Sequence, residues 1–167
     1  MPQTLKTDRL VLRPYETADA DRLAALISAP AVQRWLPTVP HPYTRADAVA
    51  FIGRAKETMW KCAVTREGDL IGGIAIADEL GYWLGQPFWG HGYATEVCQS
   101  LLSAWFDGGQ ERDLRSGHVE GNHASRNVLL KLGFTDTHKG ETDSHFLGHP
   151  VALQHMALSA ADWNAGS

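Results

Sequence analysis

What the chain lacks narrows it first. Its 167 residues hold two cysteines, Cys62 and Cys98, too few for a disulfide framework, and both lie inside apolar segments. They read as buried thiols of a protein kept in a reducing compartment. There is no long hydrophobic run. The longest, LIGGIAIA at residues 70–77, falls far short of the roughly 20 residues that cross a bilayer. The opening MPQTLKTDRL lacks the apolar core of a secretory signal. A cytoplasmic protein with no membrane partner is the expectation.

Positive charge is not in excess either. Lys and Arg number 15 against 19 Asp and Glu, a formal net charge of −4, so nothing general attracts nucleic acid. Metal motifs are missing despite eight histidines: no H-E-x-x-H and no C-x-x-C occurs. His145 and His149 are four apart, but Gly148 and Pro150 disfavour a helical ligand pair. His118-Val119-Glu120 has no P-C-x-x-C partner of the zinc-deaminase kind. No metal is expected. Internal repeats and low-complexity tracts are absent as well.

What is present is an ordinary globular composition, 44% hydrophobic and 20% charged. A chain this long buries about 68–70% of its unfolded surface, enough for one self-sufficient domain over residues 1–167. Residues 7–15 alternate as a first strand. Residues 17–27 have helical spacing, with Asp19 and Asp21 in the first turn. Residues 36–43 (LPTVPHPY) hold three prolines and read as a loop. Thr44 and Asp47 form a capping-box pattern before a helix carrying Ala48, Phe51, Ile52, Ala55 and Met59 on one side. Strand-like runs follow at 61–65, 70–77 and 80–84, the first two separated by REGD, a hairpin signal.

QPFWGHG then interrupts the pattern before a helix over 93–106. A strand at 114–120, a short helix at 124–132 closed by Gly133, and strands at 134–138 and 151–159 complete the chain. The order β-α-α-β-β-β-α-β-α-β-β predicts a mixed α+β domain.

Gly90 and Gly92 stand between a strand and a helix. A helix start presents unpaired N–H groups and partial positive charge, and glycine lets the backbone approach an anion. The turn can therefore be a phosphate cradle or a plain strand-to-helix connection. No Gly-Lys-Ser/Thr follows, which excludes a Walker A loop. Thr95 occupies the third glycine position of a dinucleotide fingerprint, which argues against a nucleotide-binding oxidoreductase.

GYWLGQPFWGHGYATE at 81–96, followed by NHASRNVLLKLGF at 122–134, resembles the GNAT acetyltransferase family. The similarity is to its RimJ/RimL-like branch, with W-G-x-G-Y-A-T-E and N-x-x-S-x-x-x-L-x-K-x-G-F. TDRLVLRPYETADADRL and PHPYT also look like that group, so the resemblance spans nearly the whole chain. It implies a GNAT fold: a mixed central sheet of about seven strands, helices on both faces, and a splayed parallel pair formed by the 80–84 and 114–120 strands. It implies acetyl-CoA as co-substrate and transfer to a primary amine by direct attack. The pantetheine would pair with the backbone of Trp83, Leu84 and Gly85. The pyrophosphate would sit on Trp89, Gly90, His91, Gly92 and Tyr93, with Thr95 adding its hydroxyl. Asn122 and Ser125 would lie at the reacting end.

Two positions depart from the family. Leu129 stands where many members carry a tyrosine acid, and Pro87 where an Arg or Gln is usual. Ser125 is then the acid candidate, with a plain helix cap as its alternative role. The departures also leave room for a CoA-binding or interaction module that has lost catalysis.

The attacking amine must be neutral. An α-amino group with a pKa of about 7.7–8.0 needs little help, whereas a lysine amine at about 10.4 needs a strong base. That favours a peptide N-terminus or a weakly basic small amine. Base candidates are His118, Glu120 and Glu79, with Glu141 and Asp143 in a late loop. His118 and Glu120 would share one strand face with Asn122. A backbone N–H near Leu84 would hold the oxyanion. Trp35, His41, Tyr43 and Phe146 would rim the acceptor site. A monomer or a homodimer fits the family.

Overall fold

The computed structural model describes residues 4–57 and 60–166; Met59, assigned from the sequence to a helix face, lies outside them. The described chain forms eight strands and six α-helices. The strands are β1 (Leu5–Lys6), β2 (Val11–Arg13), β3 (Lys61–Arg66), β4 (Asp69–Ile76), β5 (Leu80–Leu84), β6 (Leu114–Val119), β7 (Thr135–Ser144) and β8 (His149–Leu158). The helices are α1 (Ala20–Ser28), α2 (Pro30–Gln33), α3 (Arg45–Ala55), α4 (Tyr93–Asp107), α5 (His123–Lys131) and α6 (Ala160–Gly166).

The expected first strand is in fact a hairpin, because Thr7 N–H turns back to the Leu10 carbonyl and separates β1 from β2. The expected helix from residue 17 starts with a 3₁₀ turn, Thr17–Asp19. Asp19 accepts from the Glu16 amide and from both terminal nitrogens of Arg13. α2 and α6 were not anticipated; each is a short segment without enough periodic residues to register. Thr44 caps α3 as the capping box requires. Glu67 and Gly68, both at positive φ, make the two-residue turn that joins β3 to β4.

The strands form two antiparallel sheets, not one mixed sheet: β1-β2-β3-β4-β5 and β6-β8-β7. Alternation along β3 sorts the layers. Cys62 and Val64 face a core shared with α4, and Ala63 faces a second core shared with α1 and α3. Burial pushes the Cys62 thiol up to about 11 and raises that of Cys98 as well. Neither is a reactive thiolate.

The sheets touch through one parallel bridge, Glu79 with Arg115. Beside it the buried Ser116 Oγ–H donates to the Leu80 carbonyl at 2.8 Å. Beyond Leu80 the strands β5 and β6 part, and the gap becomes the cleft. Ser116→Ala leaves that buried carbonyl without its donor. The loss is expected to be about 1–3 kcal/mol, read from urea midpoints, and an unchanged midpoint would contradict the role given to Ser116.

Candidate active site

A cleft of about 1070 Å³ opens between β5, β6, α3 and the start of α4. Its first wall is the edge of β5. Gly85 N–H donates to the Ile71 carbonyl at 2.8 Å, in register with the β4–β5 pairing. The alternation of an antiparallel ladder then points the backbone groups of Trp83 and the N–H of Gly85 at β4, and the backbone groups of Tyr82 and Leu84 away from it, while the Gly85 carbonyl accepts from the Phe88 N–H. Two contacts agree: Leu80 and Leu84 offer their carbonyls to side chains outside the ladder, Ser116 and the Trp89 indole N–H at 2.8 Å each. Of the three residues expected to pair with an incoming chain, Leu84 presents its N–H, while Trp83 and Gly85 are spent within the sheet. The Tyr82 N–H points to the same open side as that of Leu84.

The second wall is the turn before α4. Gly90 and Gly92 adopt φ of +76° and +78°, which suits glycine. The amides of Gly90, His91 and Gly92 have no partner among the described residues. The first turn of α4 leaves those of Tyr93, Ala94 and Thr95 unpaired as well. Trp89 is the exception, because its N–H bonds the Gln86 carbonyl inside the turn. The His91 side chain lies off the cleft, stacked on Tyr93, and Arg9 bonds the His91 carbonyl while pairing with Glu96 at 2.7 Å. Glu96 is held below the usual carboxylate range by hydrogen bonds from Thr7 and Arg9, which outweigh the opposing effect of its partial burial. This network braces the cradle from behind. A row of free amides with partial positive charge and an open strand edge fits an extended ligand that ends in phosphates.

The third wall is β6 with the start of α5. His118 is 9% exposed. Its Nδ1 lies 3.0 Å from the Val119 carbonyl, which can only accept, so Nδ1 carries the proton of the neutral ring. Its Nε2 is buried without a partner among the described residues. Glu120 follows His118 by two residues, its N–H still bonded to the Ala152 carbonyl at 2.8 Å in register with β8. Its exposed side chain forms a 2.8 Å pair with Lys139, which holds its carboxylate low. Glu141 and Asp143 lie on strand β7 rather than in a loop. Glu79 is exposed at the far end of the cleft.

Asn122, not Ser125, is the N-cap of α5: its side chain accepts from the Ser125 N–H at 3.1 Å. The Ser125 hydroxyl is therefore released from capping and sits 2.9 Å from the Tyr82 hydroxyl. Sequence reasoning missed Tyr82, since alternation with Leu80 and Leu84 reads as core. The position was findable from the phenol absent at residue 129, where Leu129 is fully buried.

On the acceptor side Trp35 and Tyr43 line the cleft, joined by Phe51, Arg54 and Lys61, none of which the sequence singled out as site residues. One face of α3, at the i, i+4, i+7 spacing of Asp47, Phe51 and Arg54, makes this wall. Burial pushes the Tyr43 phenol up to about 12. His41 and Phe146 do not line the cleft. They pack edge-on at 5.0 Å behind it, where His145 N–H donates to the Pro37 carbonyl and ties the 36–43 loop to the turn after β7. Among the described residues no group of three or more His, Cys, Asp or Glu is placed to hold a metal, and no helix is long and apolar enough to cross a membrane.

Comparison with known proteins agrees with this geometry. The profile of the acetyltransferase (GNAT) domain matches residues 9–135. The chain belongs to the GNAT acetyltransferase family. Its activity is acetyl-CoA-dependent acetyl transfer. YdaF of Bacillus subtilis (strain 168), which carries the provisional name ribosomal N-acetyltransferase, is 25% identical over 93% of this chain and 94% of its own. A GNAT-family acetyltransferase from Bacillus anthracis superposes with a TM-score of 0.82 at 19% identity, over 95% of this chain and 99% of its own. The ribosomal L7/L12 α-N-protein acetyltransferase RimL, solved with coenzyme A, gives 0.77 at 17% identity, over 93% and 97%. These likenesses support the RimJ/RimL-like branch of the family.

If the cradle holds the phosphates, Gly92→Ala forces an L residue into left-handed backbone at a cost of about 1–2 kcal/mol. It is expected to lower the melting temperature and weaken acetyl-CoA binding measured by calorimetry. Unchanged affinity would contradict the cradle.

Proposed function

We propose that this acetyltransferase acts on a primary amine, a peptide N-terminus or a weakly basic small amine, by direct attack in a ternary complex. The observation that carries the reading is His118, whose Nδ1–H is committed to Val119 and whose Nε2 is buried and unpartnered. His118 lines the cleft, and an imidazole nitrogen without a partner among the described residues can serve as a general base there. Bound acetyl-CoA supplies the acetyl group as a thioester, whose C–S bond breaks with its electron pair on sulfur as the C–N bond forms. The Gly90–Tyr93 amides and the Leu84 N–H bind and orient the donor, and the Leu84 N–H also receives the developing oxyanion. His118 Nε2 takes the amine proton. Ser125 Oγ faces the leaving sulfur, and Asn122 fixes Ser125 through the cap. Trp35, Tyr43 and Phe51 give the acceptor an apolar wall. The names of YdaF and RimL support a protein N-terminus among the acceptor classes.

The test is thiol release from acetyl-CoA against matched peptides with free N-termini, small amines and N-terminally blocked lysine peptides. Free N-termini and weakly basic amines are expected to be acetylated in preference to lysine. His118→Gln is expected to lower kcat by roughly 10²-fold or more at pH 7, with acetyl-CoA affinity unchanged. The deficit should shrink as pH rises past the amine pKa of about 7.7–8.0, because more amine arrives neutral. Binding without turnover on every acceptor would favour the inactive-module reading, and full activity of His118→Gln would remove His118 as the base.

A further inference from the structure

Tyr82 is half-buried on β5, lines the cleft, and touches Ser125 twice. Its hydroxyl donates to the Ser125 carbonyl at 3.1 Å and lies 2.9 Å from Ser125 Oγ. The phenol reaches from the first sheet to the start of α5, across the gap that the ligand must enter. A phenol has one proton. While that proton rests on the carbonyl, a Ser125 hydroxyl that donates to Tyr82 Oη turns its lone pairs to the cleft. A Ser125 held that way would repel an anionic sulfur. Rotation about two single bonds reverses the arrangement: the phenol proton turns to Ser125 Oγ, and the Ser125 proton turns outward. No heavy atom moves.

We propose that Tyr82 is the positioning residue that turns Ser125 into a hydrogen-bond donor to the leaving sulfur, doing from β5 what no side chain at Leu129 can do. The proposal rests on the reading of Ser125 given above and deepens it. Burial pushes the phenol up, so Tyr82 keeps its proton, and an alcohol is far less acidic than a thiol of about 8.5. The pair therefore stabilises a thiolate by charge-assisted hydrogen bonding and does not ionise itself. The balance is closed without it. The C–S electron pair stays on sulfur, the amine proton goes to His118, and the thiolate leaves or is protonated by water.

Such a donor pair must also act on the free product, which gives a test independent of turnover and of the acceptor. The affinities of coenzyme A and of acetyl-CoA are measured by calorimetry from pH 7 to pH 9.5 on the full chain and on Tyr82→Phe, Ser125→Ala and Ser125→Thr. Acetyl-CoA has no thiol and serves as the reference. In the unaltered chain the ratio of coenzyme A to acetyl-CoA affinity is expected to rise by about sevenfold over this range, as for a thiol pKa lowered by one unit, from about 8.5, on binding. Tyr82→Phe and Ser125→Ala should cut the rise to about threefold or less, and Ser125→Thr should keep most of it. In turnover, Tyr82→Phe should lower kcat with KM for acetyl-CoA unchanged, and the deficit should hold from pH 7 to pH 9.5, because neither hydroxyl ionises in that range.

A full rise in Tyr82→Phe alongside its loss in Ser125→Ala would overturn the role of Tyr82 and leave that of Ser125. No rise in the unaltered chain, or full activity of Ser125→Ala, would remove the reading of Ser125 and this inference with it. An equal loss of affinity for both ligands in Tyr82→Phe would make the contact a structural stitch and overturn the proposal.

Discussion

The site exists because two sheets share one bridge. An antiparallel ladder satisfies β5 on its β4 side, and the single Glu79–Arg115 contact with the Ser116 hydroxyl anchors the other side at its base. Past that point the N–H groups of Tyr82 and Leu84 face open space. Unpaired strand edges inside a protein are costly or functional. Here the edge is short, flanked by a helix start with free amides, and opposed by β6 with His118. The same splay leaves His118 on one sheet and the open strand edge on the other.

The braces around the slot are local and cheap. Glycines at positive φ shape the turn, and the Arg9–Glu96–Thr7 network holds it from behind. Asn122 takes over the cap of α5, which frees Ser125. Tyr82 spans the gap. Each contact is a modest hydrogen bond of about 0.5–1.5 kcal/mol. What they supply together is preorganisation, since His118, Tyr82 and Ser125 sit on strands and at a helix start rather than on loops.

Much of this was legible in the amino-acid order. The G-x-G turn and the N-x-x-S segment named the family and located the cradle, and capping chemistry at Thr44 and the turn at Glu67–Gly68 carried local signals strong enough to read directly. What was not legible depended on pairing between distant segments. The strand order, and hence the split into two sheets, cannot be seen in a local period. Which backbone groups of β5 face the cleft depends on its register with β4, which no local pattern around Tyr82, Trp83 and Gly85 reveals. His41 and Phe146 come from segments that meet behind the rim, and their aromatic character alone could not tell a lining from a brace.

The most direct test of this account is amide hydrogen exchange of the chain with and without acetyl-CoA, resolved at single residues along β5 and the turn. The Tyr82 and Leu84 amides and those of Gly90 to Tyr93 are expected to exchange fast in the free protein and to be protected on binding. Trp83 and Gly85, already bonded to β4, should be protected in both states. Tyr82 and Leu84 protected before ligand is added, or unchanged after it binds, would contradict the claim that an open strand edge is the binding site.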